Sequence, residues 1–374
     1  DDHGTDIIFK ESAFTLVTKE QKILLEEEKW RRFLYAPSIY WKILAKSPLV
    51  RLSEVAKVYY GIKTGKNEFF YMKKEQIDDL EIPDDLVVKL VKSIGQCDYI
   101  GFSDNDSEWH ALNLEPIVKE AEERLQKVGP MRSLLEETKQ VIKERKLTRL
   151  LDYIEKSEKR RWNEASSLKG RSVWFSLGNI KVTPLIFTKE IWKKSIIYIN
   201  QGKLAVDQHL YEVYPHKDVD PIVLLGILNS DVTAIFRDLH GRIAAGQTMS
   251  RIENTVKEAK DLPIINPRDL TEIDKDEIRK AILDIVESER GLIPSKSEGT
   301  FFDLNAEYVK KRRALNLAVL KSIGFSSHID EVENSWKEMI ETRIRMGGQK
   351  KDILVRKIDE NLERKLSGAL VREK

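Results

Sequence analysis

Pro267 divides this chain into two kinds of pattern. From Leu49 to about Pro267, short runs rich in β-branched and aromatic residues ("LVRLSEVAKVYYG", "RSVWFSL", "PLIFT", "KSIIYIN", "LYEVYP") alternate with helical spacing near 114–128, 131–160 and 221–239. Beyond Pro267 the spacing is helical almost throughout, as in "TEIDKDEIRKAILDIVESER" and "HIDEVENSWKEMIETRIRM", and Gly291, Gly324 and Gly347 mark helix ends. The irregular order of elements excludes a doubly wound sheet, in which strand and helix alternate regularly. It predicts an α+β chain: a mixed or curved β-sheet domain over 48–267, then an α-helical C-terminal domain over 268–374. Residues 1–47 read as a helical adaptor, since "TKEQKILLEEEKWRRFLYA" has apolar residues at helical spacing before Pro37 and Pro48.

A chain of 374 residues is long enough for two or three domains, and it opens on Asp1, which suggests a fragment of a longer protein. No apolar run approaches the roughly 20 residues that span a bilayer, so a cytoplasmic location and no membrane partner are expected. The one cysteine, Cys97, cannot form an internal disulfide, and the six scattered histidines have no zinc-ligand spacing.

The net charge is only +2, but it is unevenly spread. Between Lys139 and Leu204, sixteen Lys and Arg face six Asp and Glu, a local +10 that leaves −8 for the rest. A solvated helix face accounts for part of this excess. Aromatic residues lie among the cations, however: Trp162, Trp174, Phe175, Phe187, Trp192 and Tyr198. That mixture suits a polyanion whose phosphates are neutralised and whose bases are stacked.

The stretch "YYGIKTGKNEFFYM", Tyr59 to Met72, resembles a phosphate-binding loop at first sight. Such a loop needs four residues between its glycines and a hydroxyl after its lysine. Here three residues separate Gly61 from Gly65, and Asn67 follows Lys66, so a nucleotide site is disfavoured. The pattern predicts a glycine-supported turn between two paired strands, with about half of Tyr59, Tyr60, Phe69 and Phe70 in the core. Catalytic signatures are missing as well. The sequence has no Gly-x-Gly and no adjacent prolines, which removes the usual methyl-donor turn and the proline loop that holds a flipped base. Pro83–Asp85 starts a nuclease-like pattern that nothing completes. The chain reads as a binding module.

Three stretches together resemble the C-terminal specificity region of adenine-specific DNA methyltransferases of the TaqI-like and Eco57I-like types. "LVRLSEVAKVYYGIKTGKNEFFYM" is similar to that family's opening strand pair and matches its recurrent turn at Gly61, Thr64, Gly65, Asn67 and Phe70. "SIIYINQGKLAVDQHLYEVYP" resembles its later strand pair. The stretch from "LLGILNSDVTAIFRDLHG" to "LPIINP" resembles its helix, Gly-rich segment and exit strand. The helix "RRALNLAVLKSIGF" is similar too, with Asn316 where the family usually has Asp.

The resemblance implies a double-stranded DNA reader joined to an upstream methyltransferase domain of the same polypeptide. S-adenosylmethionine would serve the parent enzyme, and this chain would hold no cofactor, metal or catalytic residue. Phosphate contacts are expected from Lys63, Lys66, Lys203 and Arg242, and from main-chain N–H groups at Gly61, Gly65 and Gly246. Base contacts are expected from Asn67, Gln208, Gln247, Arg251 and the group Arg160, Arg161 and Arg171. "GRIAAGQTMSR", which includes Thr248, is expected to be a DNA-facing loop. Structural roles compete with these: Asn67 can close its own turn, and Arg242 can pair with Asp238. Two other functions compete as well, a protein-interaction scaffold and an RNA-binding module. A steep salt dependence separates DNA binding from the first, and competition by duplex RNA from the second.

Overall fold

Two mixed sheets carry the strand-bearing part of the chain. The structure, a computed structural model, describes residues 8–11, 14–17, 31–93, 99–129, 132–191, 194–243, 251–288 and 306–345. The central sheet has the spatial order β4 (Ala56–Tyr60), β13 (Leu210–Pro215), β9 (Leu185–Thr188), β11 (Ile197–Asn200) and β7 (Gly101–Phe102). All its pairs are antiparallel except β11 with β7. The second sheet has the order β12 (Ala205–Val206), β6 (Val87–Val91), β8 (Trp109–Leu112) and β5 (Tyr71–Lys73), with β12 parallel to β6. A three-stranded sheet joins β10 (Glu190–Ile191), β15 (Ile252–Glu253) and β14 (Arg242–Ile243). Two further antiparallel pairs are β3 (Leu49–Arg51) with β16 (Pro263–Ile265) and β1 (Ile8–Glu11) with β2 (Phe14–Val17). The fold is α+β with mixed sheets, as the irregular order of elements predicts.

The helices include α1 (Arg31–Tyr35), α2 (Ser38–Lys46), α3 (Glu115–Val128), α4 (Leu134–Glu144), α5 (Thr148–Lys159), α6 (Pro221–Asn229), α7 (Asp231–His240), α8 (Glu272–Val286), α9 (Ala306–Lys321) and α10 (329–345). The pattern read as one helix over 131–160 is two, because Lys146 takes the left-handed conformation at φ 59° after α4. The pattern over 221–239 is also two helices. Asp220 caps α6 through the N–H groups of Ile222 and Val223, and Pro221 follows, where its missing N–H costs nothing. Ser230 then ends α6 and caps α7 by accepting from Thr233 N, so the Asn229–Ser230 pair does start a helix.

Buried apolar side chains form two clusters. The larger joins the central sheet to α2, α6, α7 and the helices after Pro267, through residues such as Val213, Leu224, Ile282, Leu315 and Trp336. The smaller packs the second sheet against α3, α4 and α5, through Phe69, Leu112, Ile142, Ile154 and Trp174. Among the described residues, the C-terminal helices therefore close over the core of the central sheet. Buried ion pairs fasten them there: Asp238 of α7 meets Arg31 of α1 at 2.6 Å and Arg343 of α10 at 2.7 Å.

The strand pairings differ from those the sequence suggests. β4 and β5, which flank the Gly61–Phe70 stretch, do not pair with each other: β4 pairs with β13, and β5 with β8. Ile62 leaves β4 to form a parallel bridge with Asp207, and Asn67–Phe70 closes as a single helical turn. The stretch therefore crosses from one sheet to the other and is not a hairpin. Burial follows this path, since Phe69 and Phe70 are both in the core while Tyr59 and Tyr60 are both exposed. β11 and β13 are likewise not partners, because β9 runs between them.

Candidate nucleic-acid interface

The crossing between the sheets forms the best-defined polar surface among the expected site residues. Gly61 is buried, and its N–H donates to Leu210 O at 3.1 Å. A Cβ there would lie 2.3 Å from Val206 O and 2.4 Å from Asp207 O, so glycine is required by main chain of the same protein. This corrects the expectation that Gly61 offers its N–H to a phosphate. Thr64 is also buried; its hydroxyl donates to the side-chain oxygen of Asn67 and accepts from Lys66 N at 3.2 Å. Asn67 thus closes the turn, which takes its oxygen out of the base-reading role expected of it. Gly65 stands exposed at φ 79°, a left-handed conformation that disfavours a side chain.

A segment more than 90 residues further along holds this turn from behind. Arg171 Nη2 donates to Lys63 O at 2.9 Å and to Thr64 O at 3.1 Å, and Nη1 donates to Ser176 O at 3.0 Å. Its guanidinium lies over the Phe70 ring, and burial lowers its pKa. Arg171 is therefore half-buried with its forked donors engaged, which corrects its expected role in reading bases. Ser167 Oγ donates to Gly65 O at 3.4 Å. In front, Lys66 Nζ lies 5.1 Å from the centre of the Trp162 ring, and the Arg160 guanidinium is 5.5 Å from the same ring. Lys66 also pairs with Glu68 at 3.5 Å. Lys63 and Lys169 are exposed, and among the described residues their ammonium groups make no ion pair. The result is a cationic rim around a half-buried tryptophan, with geometry suited to phosphate oxygens.

Comparison with known families adds the setting. Residues 27–290 match the family model described as the C-terminal domain of the type II methyltransferase M.Eco57I. The chain belongs to that family. All the expected site residues lie inside the matched span. Among solved structures, the chain is similar in fold to the type IIG restriction endonuclease BpuSI, with a TM-score of 0.52 and 15% identity over 89% of this chain and 36% of that one. The type IIL restriction-modification enzyme MmeI, solved in complex with DNA, gives a TM-score of 0.43 and 15% identity over 78% of this chain and 36% of that one. This chain thus spans 36% of the length of either structure. No curated protein sequence matches it.

In this member of the M.Eco57I C-terminal domain family, the remaining expected residues are scattered. Arg161 is exposed at φ 61° and pairs with Glu164 at 2.6 Å. Lys203 is exposed at φ 52°, and Gln208 is half-buried beside the turn, with its N–H donated to Ile62 O at 3.1 Å. Arg242 pairs with Glu253 at 3.1 Å and not with Asp238, whose carboxylate is taken by Arg31 and Arg343. Arg251 pairs with Glu190 at 2.8 Å, which ties the start of the middle strand β15 to the edge strand β10 and opposes its expected base contact. Gly246, Gln247 and Thr248 lie outside the described residues, as do Trp192 and Cys97.

Most of the aromatic residues among the basic ones are core: Trp174, Phe175, Phe187 and Tyr198 are buried, and among the described ones only Trp162 is half-exposed with cations over it. Sequence reasoning missed a second such site at Trp109 on β8. Lys92 Nζ lies 3.7 Å from the centre of its ring and Lys73 Nζ 5.4 Å. The site depends on the cross-strand pairing of Lys73 with Trp109, which sequence periodicity does not reveal. Among the described residues, no group of three His, Cys, Asp or Glu could hold a metal ion, and no helix is long and apolar enough to cross a membrane.

Proposed function

We propose that this chain is the part of an adenine-N6 DNA methyltransferase of a restriction-modification system that recognises double-stranded DNA. A domain upstream in the same polypeptide would bind S-adenosylmethionine and the flipped adenine. The observation that carries this reading is the convergence of separate stretches on one surface: the 61–67 turn, Arg160, Trp162 and the 167–171 segment behind them. Membership of the M.Eco57I C-terminal domain family supports the restriction-modification setting.

On this reading, Lys63, Lys66 and Arg160 neutralise phosphates and fix the register of the duplex, which contributes affinity without sequence preference. Gln208, beside the turn, is a candidate for a base contact, because a carboxamide can pair with adenine N6 and N7 in the major groove.

The test is the affinity of the chain for duplex DNA across a range of salt concentrations. Replacing Lys63 and Lys66 by Ala is expected to lower the slope of log affinity against log salt by about 2, near one unit per lost phosphate contact. A slope indifferent to both lysines removes the turn from the interface. Salt-independent binding favours a protein scaffold, and equal competition by duplex RNA favours an RNA-binding module.

A further inference from the structure

We propose that Arg171 is a positioning residue for the DNA-contacting turn, holding Lys63 and Lys66 in place without itself touching DNA; this rests on the DNA-recognition reading above. Sequence reasoning puts Arg171 among the base readers, with Arg160 and Arg161. Its geometry assigns it a different task.

Three consecutive carbonyl groups of the turn accept from the segment behind it: Lys63 O and Thr64 O from Arg171 Nη2, and Gly65 O from Ser167 Oγ. No sheet ladder runs through Lys63–Lys66, so these bonds take the place of a ladder. A guanidinium suits this role because its planar fork reaches several acceptors at fixed angles, whereas an ammonium is a single point. Arg171 Nη1 anchors the same plane to Ser176 O, and the Phe70 ring supports its face. Among the described residues no carboxylate is paired with it, so main-chain carbonyls and the Phe70 ring hold it.

A turn held in this way keeps the roots of both lysine side chains fixed before DNA arrives. Without that hold, the entropic cost of ordering them exceeds what each phosphate contact returns, so both contacts are lost from the complex.

The experiment compares the 374-residue chain with R171A, R171K, K63A/K66A and the triple variant K63A/K66A/R171A. Each is titrated with one mixed-sequence DNA duplex at several salt concentrations, and hydrogen exchange of the Lys66 amide is measured without DNA. For a positioning residue, R171A should lower the log–log salt slope by about as much as K63A/K66A, about 2 units, and the triple variant should go no lower. A further loss of about one unit in the triple variant would make Arg171 a phosphate contact and overturn the proposal. A wild-type slope in R171A would overturn it as well.

The Lys66 amide, bonded to Thr64 Oγ1, should exchange faster in R171A while amides of the central sheet stay protected. Unchanged exchange refutes the hold on the turn, independently of DNA. If R171A does not fold, R171K decides: it keeps the charge but not the fork, so a loss of slope supports positioning and a wild-type slope refutes it. If the unsubstituted chain shows no salt-dependent DNA binding, the DNA reading fails, and the exchange result still decides whether Arg171 holds the turn.

Discussion

The phenol of Tyr71 donates to the buried carboxylate of Asp207 at 2.6 Å, across 136 residues of sequence. Tyr71 opens β5 in the second sheet, and Asp207 sits where β12 hands over to β13 of the central sheet. The other oxygen of Asp207 accepts from His209 N at 2.9 Å and meets His209 Nδ1 at 2.5 Å. Burial and the adjacent carboxylate push the Tyr71 pKa upward, so the phenol stays a donor. One hydrogen bond therefore ties together the two sheets that the 61–70 stretch connects.

Tyr71→Phe should cost about 1 to 3 kcal/mol, because it leaves a buried carboxylate oxygen without its donor. Urea denaturation of the single variants and of Tyr71→Phe combined with Asp207→Asn measures this. The double variant should lose less than the sum of the singles, since the two groups act as a unit. Strict additivity would mean that the bond contributes nothing of its own.

The two glycines of the turn should separate in behaviour. Gly61→Ala puts a methyl group against main-chain oxygens at 2.3 and 2.4 Å, and main chain there cannot yield without disturbing the Ile62–Asp207 bridge and the pairing of β4 with β13. A loss of more than about 3 kcal/mol is expected. Gly65→Ala meets only side-chain atoms, Ser167 Oγ at 2.3 Å, Ser167 Cβ at 2.9 Å and Leu168 Cδ2 at 3.1 Å, so the exposed Ser167 segment must shift slightly, and the left-handed conformation adds a penalty of about 1 to 2 kcal/mol. Thermal denaturation should rank Gly61→Ala well below Gly65→Ala, and similar losses would contradict the close approach at Gly61.

The contrast between these glycines shows what could be read from sequence. Their importance was visible, because a Gly-x-x-x-Gly stretch between aromatic runs needs special backbone. Their reasons were not visible, since one is set by Val206 and Asp207 and the other by Ser167, all far away in the chain. Helices at α3, α6, α7 and α8 follow local spacing and caps, and these are sequence-local. Strand partners are not: periodicity says that a segment is extended and says nothing about which sheet receives it. The adjacent Phe69 and Phe70 are both buried, as are Tyr71 and Met72 in β5, so side-by-side apolar residues do not by themselves separate a helical turn from a strand buried on both faces. For Arg171, Arg242 and Arg251 the charge was legible, but a cation in sequence does not reveal whether a carbonyl, a carboxylate or a phosphate will meet it.

Glu212 should make stability depend on pH. It lies on β13 between Tyr59 of β4 and Ile186 of β9, with the Tyr214 hydroxyl donating to it at 3.0 Å. Burial raises its pKa from the ordinary 4.5 to about 7, although the Tyr214 bond and Lys181 pull the other way. The folded state therefore holds this proton more tightly than the unfolded chain does. The associated stability is fully present below pH 4.5 and is lost as the pH rises through about 7. Glu212→Gln should be more stable than the unsubstituted chain by about 2 to 3 kcal/mol near pH 8, with the difference vanishing below about pH 5. Denaturation midpoints across that range test the sign; a constant difference would show that Glu212 does not titrate there.

The departure at Asn316 has a local cause that supports a final prediction. Asn316 Nδ2 donates to Asp231 Oδ2 at 2.6 Å and to Glu333 Oε1 at 3.2 Å, while its Oδ1 accepts from Asp231 N at 2.9 Å. A carboxamide fits because it offers donors to two carboxylates and an acceptor to the first N–H of α7. Asn316→Asp keeps the acceptor and removes both donors, placing a third carboxylate in a site where Asn316 and Asp231 are both buried. Arg312, which pairs with Asp231, offsets part of the added negative charge but cannot supply the lost hydrogen bonds. The expected loss is about 2 to 4 kcal/mol near neutral pH, the cost of an unpaired buried charge with partial compensation. Protonating the introduced carboxyl restores a donor, so the loss should shrink as the pH falls toward about 4. Guanidinium denaturation of Asn316→Asp at both pH values checks this. A variant as stable as the unsubstituted chain at neutral pH would mean that α9 shifts to let water or Arg312 satisfy the new carboxylate.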